Sequence, residues 1–403
     1  MNPERNRLPL TSSLINAGFS ILVKGRKGQL DIEKLKQAAI KKTGLQDFGD
    51  PYFEEGLERL ITLGNADTNL NNIGKLLLKS SLEHNLSNRL LFCNELKKND
   101  TPAETRQRSP IIVTGIPRSG TTFLHRLILQ DEGNYGTPLW EMLRPINKEG
   151  KNDRRKLKAR LEWSASNFIK GNINHIHYTS HREPEECIYL FGITFNALLY
   201  YIQFPLYPYI DWYLQADRNK KYREYADYLR ILQSFHPGKR LVMKSPEHFG
   251  SVREIRKVLP NALILQIHRD PLTCFLSMNS MLYHIHKSAS RYSDKKRLAL
   301  TNMKLFEHEL ARNKAFRREA GPGVIDVFYE DLVADPFAVL KDVYAKAGLD
   351  FSEAFSEAVQ NYAKANPKDK FGAHQYDAAD FGLNENEIRD KLDPLSIGQD
   401  TFE

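Results

Sequence analysis

Cysteine is scarce in this chain. The three that occur in 403 residues, Cys93, Cys187 and Cys274, lie far apart and form no paired-ligand spacing. That argues against a disulfide framework or a structural zinc site and suits a reducing compartment. Long hydrophobic runs are also missing. The opening "MNPERNRLPLTSSLINAGFSILVKG" holds only short apolar pieces with no signal-peptide core, so a cytoplasmic protein is expected. The most apolar stretch, Ile188 to Tyr213, is broken by Asn196, Gln203, Pro205 and Pro208, well short of the roughly 20 consecutive apolar residues of a membrane span. We read it as a buried helix followed by an irregular loop, with an apolar acceptor pocket or membrane contact as the functional alternatives. A dominant charge of one sign is lacking too: 58 basic residues against 50 acidic ones give only +8. An anionic ligand fits this balance, and no nucleic-acid partner is required by it. With 41% apolar and 27% charged residues, the composition is that of a soluble globular protein with a sizeable core.

What is present divides into two regions. Residues 31–45, "DIEKLKQAAIKKTGL", predict a helix started by Asp31 and stopped at Gly44. A second start stands at Asp50-Pro51, with Glu54 and Glu55 in its first turn. Apolar periodicity continues through "IGKLLLKSSLEHNLSNRLLF", so residues 1–105 read as helical with no strand signal. The polar stretch Asn99 to Ser109 marks the boundary, and residues 106–403 form the second region. There, short β-branched runs, "PIIVTG", "RLVMKS", "NALILQIH" and "GVIDVFY", alternate with amphipathic stretches. The expected fold class is therefore α/β: a P-loop-like parallel sheet flanked by helices, preceded by a helical N-terminal region. The basic run 147–163 reads as a solvated helix face, or as a device to steer an anionic substrate.

The first of those strands runs into "GIPRSGTT", Gly115 to Thr122. This is the spacing of the phosphate loop G-x-x-x-x-G-K-[ST], with Thr121 in place of the lysine that reaches the β- and γ-phosphates. Backbone N–H groups at a strand-to-helix junction, together with the helix dipole, favour an anion. Ser119, Thr121 and Thr122 add hydroxyls, Gly120 lets the backbone approach, and Arg118 supplies a planar fork for phosphate oxygens. A second group, "IHRDPLTCFLSMNSM", sets Arg269 and Ser277 eight residues apart across another strand-to-helix turn. We expect them to hold a second anion, well away from the first loop, and hence a nucleotide phosphorylated at two ends.

"GIPRSGTTF", "HRDPLTCFLSM" and "YEDLVADP" at 329–336, in that order, resemble the sulfotransferases that use 3′-phosphoadenosine 5′-phosphosulfate, in particular the P-R-S-G-T-T branch shared by tyrosylprotein sulfotransferases and many bacterial enzymes. The resemblance spans roughly residues 110–375. It implies that Arg118, Ser119, Gly120, Thr121 and Thr122 hold the 5′-phosphosulfate end and that Arg269 and Ser277 hold the 3′-phosphate. A transferring sulfuryl group carries less charge than a γ-phosphoryl group, which accounts for the missing lysine without calling on a metal. The resemblance further gives Glu141 in "GTPLWEMLRP" as general base and Lys244 in "KSPEH" as the contact to the sulfuryl group. Pro246 stands where another branch has a catalytic histidine, and His248 is the competing base. "KFGAHQY" adds Lys370 and His374 as residues closing over the nucleotide. The dense group His177, His181, Glu183, Glu185 and Glu186 lacks a metal-ligand spacing and is assigned to acceptor orientation or helix capping. The acceptor is expected to be a small or lipid-like molecule. A P-loop kinase or triphosphatase, and a catalytically silent nucleotide-binding protein, remain the alternative readings.

Overall fold

The computed structural model describes residues 4–5, 29–66, 69–98, 108–148, 150, 152–170, 180–320, 323–366 and 377–398. Its centre is a five-stranded, all-parallel sheet built from β1 (Ile111–Gly115), β2 (Asn134–Tyr135), β3 (Arg240–Lys244), β4 (Leu263–His268) and β5 (Val324–Phe328), in the order β2-β3-β1-β4-β5. Four of the five are the β-branched runs read from the sequence. The fifth, β2, has only two residues, too few to show a period. Alternation along the strands divides the interior in two. Ile112, Met243 and Ile264 join one apolar cluster, while Ile111, Val113, Val242 and Leu265 join a second on the opposite face, the pattern of a sheet covered on both sides.

Among the described residues, three helices precede the sheet: α1 (Ile32–Thr43), α2 (Phe53–Ala66) and α3 (Asn72–Lys98). Asp31 caps α1 by accepting from the Lys34 N–H, and Gly44, at φ 76°, ends it in the left-handed conformation that glycine tolerates. At the second predicted start, Asp50 instead accepts from the Tyr52 N–H at 3.0 Å and closes a turn, so the helix begins at Phe53. A strand does occur in the N-terminal region: Glu4–Arg5 pairs antiparallel with Tyr292–Ser293, a two-residue contact with no sequence signal. The residues of the predicted boundary, 99–107, lie outside those described.

The N-terminal helices are continuous with the main core. Leu35, Phe53 and Leu86 cluster with Phe191, Tyr200, Leu232 and Phe249. The aromatic stretch 188–213 supplies much of this packing. It is a chain of short helices, Ile188–Phe191, Gly192–Thr194, Leu198–Gln203 and Tyr207–Gln215, rather than one helix and a loop. Its phenols are buried and bonded: Tyr200 to the Gly192 carbonyl at 2.7 Å, Tyr209 to that of Phe195 at 2.8 Å, and Tyr201 to Asn302 Oδ1 at 2.7 Å. A ring whose hydroxyl is bonded inside belongs to the core. No described helix is long and apolar enough to cross a membrane. The three cysteines are buried thiols, each pushed up by burial, to about 11 for Cys93 and about 12 for Cys187 and Cys274.

A buried ion pair helps fasten the N-terminal helices to the rest. Arg89, fully buried on α3, reaches Glu224 with both terminal nitrogens at 3.0 and 2.9 Å and donates to the carbonyls of Phe48, Asp50 and Ile193. Cutting away one partner of such a pair strands a buried charge, at a cost of about 3–5 kcal/mol. Glu224→Ala is therefore expected to lose stability on that scale in chemical denaturation, and Glu224→Asp to lose clearly less. A wild-type midpoint for Glu224→Ala would show that the N-terminal helices do not depend on the pair.

Candidate active site

β1 ends in the loop 116–120, and α4 (Thr121–Ile128) begins immediately after it. Two residues in the loop have positive φ: Gly120 at 101° and Arg118 at 72°. The left-handed conformation is ordinary for glycine and costly for arginine, and such strain concentrates at functional loops. Gly120 is also needed for space. A Cβ there would stand 2.6 Å from Tyr329 Cδ2, and the same tyrosine ring carries the Arg269 guanidinium 4.0 Å from its centroid. Ser119 Oγ is buried with no hydrogen-bond partner among the described residues. The first-turn N–H groups of α4, at Thr121 and Thr122, have no intrahelical acceptor by construction. A buried unbonded hydroxyl, a Cβ-free approach and open N–H groups make a cradle for an anion.

Arg269 and Ser277 lie close to this loop, contrary to the expectation of two well-separated sites. Arg118 Nε donates to Ser277 Oγ at 3.0 Å, and Arg269 Nη1 donates to the Arg118 carbonyl at 3.0 Å. The reason is topological. β1 and β4 are hydrogen-bonded neighbours running in parallel, with Gly115 opposite Ile267, so the loops after both strands leave from one edge of the sheet. Ser277 then comes back toward the loop from α7 (Pro271–Ala289), whose first turn Asp270 caps by accepting from the Thr273 N–H. Between α4 and α7 in the chain lie α5 (Leu139–Leu143) and α6 (Arg155–Lys170). The groups expected to hold the two anions are thus joined by hydrogen bonds into one cluster.

Lys244 closes β3 on the other side of β1, opposite Val113. Its buried Nζ donates to Thr122 Oγ1 at 3.3 Å and pairs with Glu186 Oε1 at 2.7 Å. The backbone reinforces the pair, since the Cys187 N–H donates to the Lys244 carbonyl at 2.9 Å. Glu185 beside it is buried, and its carboxyl is pushed up to about 7, by burial first, with Lys244 opposing and Glu186 adding to the shift. The dense acidic group therefore meets Lys244 through Glu186. Sequence patterning located the group and missed the pairing, because the lysine is 58 residues away. His177 lies outside the described residues, and among those described no three His, Cys, Asp or Glu side chains gather as a metal site.

The remaining predicted residues are less well placed. Glu141, in the first turn of α5, is buried and accepts from the Tyr135 hydroxyl at 2.7 Å; its other oxygen meets His236 Nε2 at 3.1 Å. It is not a surface carboxylate, and its partners are not those of Lys244. His248 is enclosed by aromatic rings, with Nδ1 3.1 Å from the Tyr222 hydroxyl. Burial first, then the charge of Lys221, drives its pKa down to about 3. Lys370 and His374 lie outside the described residues. Tyr329, the first residue of "YEDLVADP", backs both Gly120 and Arg269, and no local sequence pattern reveals that its ring faces a loop about 200 residues upstream.

Residues 110–353 match the model of the family described as the Sulfotransferase family, more than half of the chain. The chain belongs to the sulfotransferase family. Among curated relatives, this sulfotransferase is 24% identical over 293 residues to the omega-hydroxy-beta-dihydromenaquinone-9 sulfotransferase Stf3 of Mycobacterium bovis and of Mycobacterium tuberculosis, covering 66% of this chain and 69% of theirs. Its fold matches the crystal structure of sulfotransferase STF1 from Mycobacterium tuberculosis with a TM-score of 0.77 and 25% identity, over 91% of this chain and 99% of that one. It likewise matches STF9 from Mycobacterium avium with a TM-score of 0.80 and 20% identity, over 92% and 96%.

The Gly120–Tyr329 packing of this sulfotransferase is open to test. Gly120→Ala combines a positive φ with a collision against the ring and is expected to cost about 1–3 kcal/mol. In the double variant with Tyr329→Ala the two losses should fall short of their sum, because the collision is gone. Strict additivity in denaturant titrations would separate the two residues.

Proposed function

We propose that this sulfotransferase moves a sulfuryl group from 3′-phosphoadenosine 5′-phosphosulfate to the hydroxyl, or an amine, of an apolar, lipid-like acceptor. The observation that carries the reading is Lys244 Nζ, buried one hydrogen bond from Thr122 in the phosphate loop and one from Glu186. The residues fit the donor. Ser119 Oγ, the N–H groups of Thr121 and Thr122 and the bare Cα of Gly120 suit its 5′ end, while Arg269, Ser277 and the adjoining Arg118 suit its 3′-phosphate. The acceptor class rests on the relative whose name specifies a hydroxylated menaquinone.

In the reaction the acceptor oxygen forms a bond to sulfur while the bond from sulfur to the 5′-phosphate oxygen breaks. The electron pair of that bond leaves on adenosine 3′,5′-bisphosphate, and the acceptor proton passes to a carboxylate. Lys244 stabilises the charge that grows on the sulfuryl oxygens and the leaving phosphate. Glu141 is the base that the resemblance implies. A second reading is favoured by one observation: Glu186 pairs directly with Lys244 Nζ at 2.7 Å, the same nitrogen that donates to Thr122 in the phosphate loop, whereas the partners of Glu141 are Tyr135 and His236. We assign the proton to Glu186 and keep Glu141 as a support for the β2 edge. A kinase or triphosphatase reading lacks the loop lysine, replaced by Thr121, and β3 and β4 end in Lys244 and His268 where an aspartate for magnesium would stand.

Two measurements test this. Adenosine 3′,5′-bisphosphate without magnesium should raise the melting temperature, as a ligand that binds only the native state must; stabilisation by ATP with magnesium and none by the bisphosphate would sink the reading. With a sulfate donor labelled in the sulfuryl group and a hydroxylated quinone acceptor, Glu186→Gln should lower turnover by about 10²–10⁴ while keeping bisphosphate affinity. Glu141→Gln and His248→Ala should each lose much less. Full turnover in Glu186→Gln with a collapse in Glu141→Gln would return the base to Glu141.

A further inference from the structure

Residues 155–163 of the basic run, read from the sequence as a solvated face or a device to steer an anionic substrate, fall in α6, and this part of the helix is not uniformly polar. Leu157 and Leu161, one helical turn apart, are 53% and 62% exposed, more than any other large apolar side chain among the described residues. Exposed Lys156 and Arg160 alternate with them along the helix, and exposed Arg182 lies on the neighbouring segment. None of these three cations has an ion-pair partner among the described residues, and the two acidic residues nearest on the helix side are engaged elsewhere, Asp153 by Arg155 and Glu162 by Arg144. The three act at one place. After burial, it is the charges of Arg182, Arg160 and Lys156 that hold the His181 imidazole below its ordinary range. The inner side of the helix is anchored, with Ala159 buried and the Arg155 guanidinium 5.0 Å from the Trp140 ring.

Two leucines pointing outward between unpaired cations suit an interface that is apolar below and anionic at its surface. An isolated exposed leucine would mean nothing. A pair at i and i+4, rimmed by lysine and arginine, is the pattern of a helix lying in the headgroup layer of a bilayer. We propose that α6, with Arg182, docks this enzyme on the surface of an anionic lipid membrane.

The path from that surface to the chemistry is short. The segment running from His181 to Cys187 is clipped to α5 by the Trp140 N–H to the His181 carbonyl at 3.1 Å and by the Leu139 N–H to the Glu183 carbonyl at 3.0 Å, and to β3 at Cys187. Arg182 at the membrane end and Glu186 at the lysine end are four residue steps apart, a span of at most roughly 14 Å at full extension. Docking in this orientation brings the Lys244–Glu186 pair within reach of a hydroxyl carried at the level of the headgroups. The docking surface goes beyond the proposed reaction and stands without it, since it is read from the exposed side chains of α6 and Arg182 alone.

The test is co-sedimentation of the full-length protein with vesicles of phosphatidylcholine and with vesicles containing phosphatidylglycerol. Binding to the anionic vesicles that weakens with added salt is expected, with little binding to the neutral ones. Lys156→Ala with Arg160→Ala should weaken it roughly 25-fold, at about fivefold for each basic residue near the surface. Leu157→Ser with Leu161→Ser should weaken it at least about tenfold. Melting temperature and bisphosphate binding should be unchanged in both, because all four side chains are exposed. Equal binding to both vesicle types, or none, would overturn the proposal. So would a concentration-dependent dimer of the wild type that the leucine changes abolish, for then a second copy covers the face. Loss of bisphosphate binding by the wild type would count against the donor reading and leave the docking result standing.

Discussion

An ammonium group buried at the end of a β-strand has to be neutralised where it stands, and much of the molecule is arranged around that requirement. Lys244 cannot swing to solvent, so a carboxylate must come to it. Glu186 does so because the segment before it is held by backbone bonds to α5 and by the Cys187 N–H to the lysine's own carbonyl. The same lysine reaches sideways to Thr122. One buried charge thus joins the phosphate loop, the strand beside it and the acidic segment, and fixes their relative positions to within hydrogen-bond tolerance.

The other half of the site is organised by an aromatic ring. Tyr329 follows β5 and lies beneath both Gly120 and Arg269. Because β4 separates β5 from β1, the tyrosine crosses a strand to support the loop, and the two loops it touches cannot shift independently. The hydrogen bonds from Arg118 to Ser277 and from Arg269 to the Arg118 carbonyl complete the coupling.

How much of this could be read from the sequence depends on the range over which each feature is encoded. Four strands, the Asp31 and Gly44 caps and the loop at Gly115–Thr122 are local, and local chemistry announces them: β-branched runs, a short polar side chain before a helix, glycine after it. The parallel α/β class follows from those elements. Features made by tertiary contact were out of reach. That Arg118 meets Ser277 depends on β1 and β4 being neighbours, which no spacing states. That Glu141 is tied up by Tyr135 and His236, while Glu186 finds Lys244, depends on two-residue β2 and on an extended segment with no period of its own. The aromatic stretch was read correctly as buried, but its division into short helices is dictated by where each phenol finds a carbonyl.

The burial of all three thiols has a practical meaning. Cys93 sits on α3, Cys187 beside Lys244 and Cys274 on the helix that follows Arg269. With their ionisation suppressed by the interior, they are poor nucleophiles while the fold is closed. Each becomes available to an alkylating reagent only when its own part of the core opens. The chain therefore carries three internal clocks, one per structural region, whose labelling rates would rank the order in which those regions come apart.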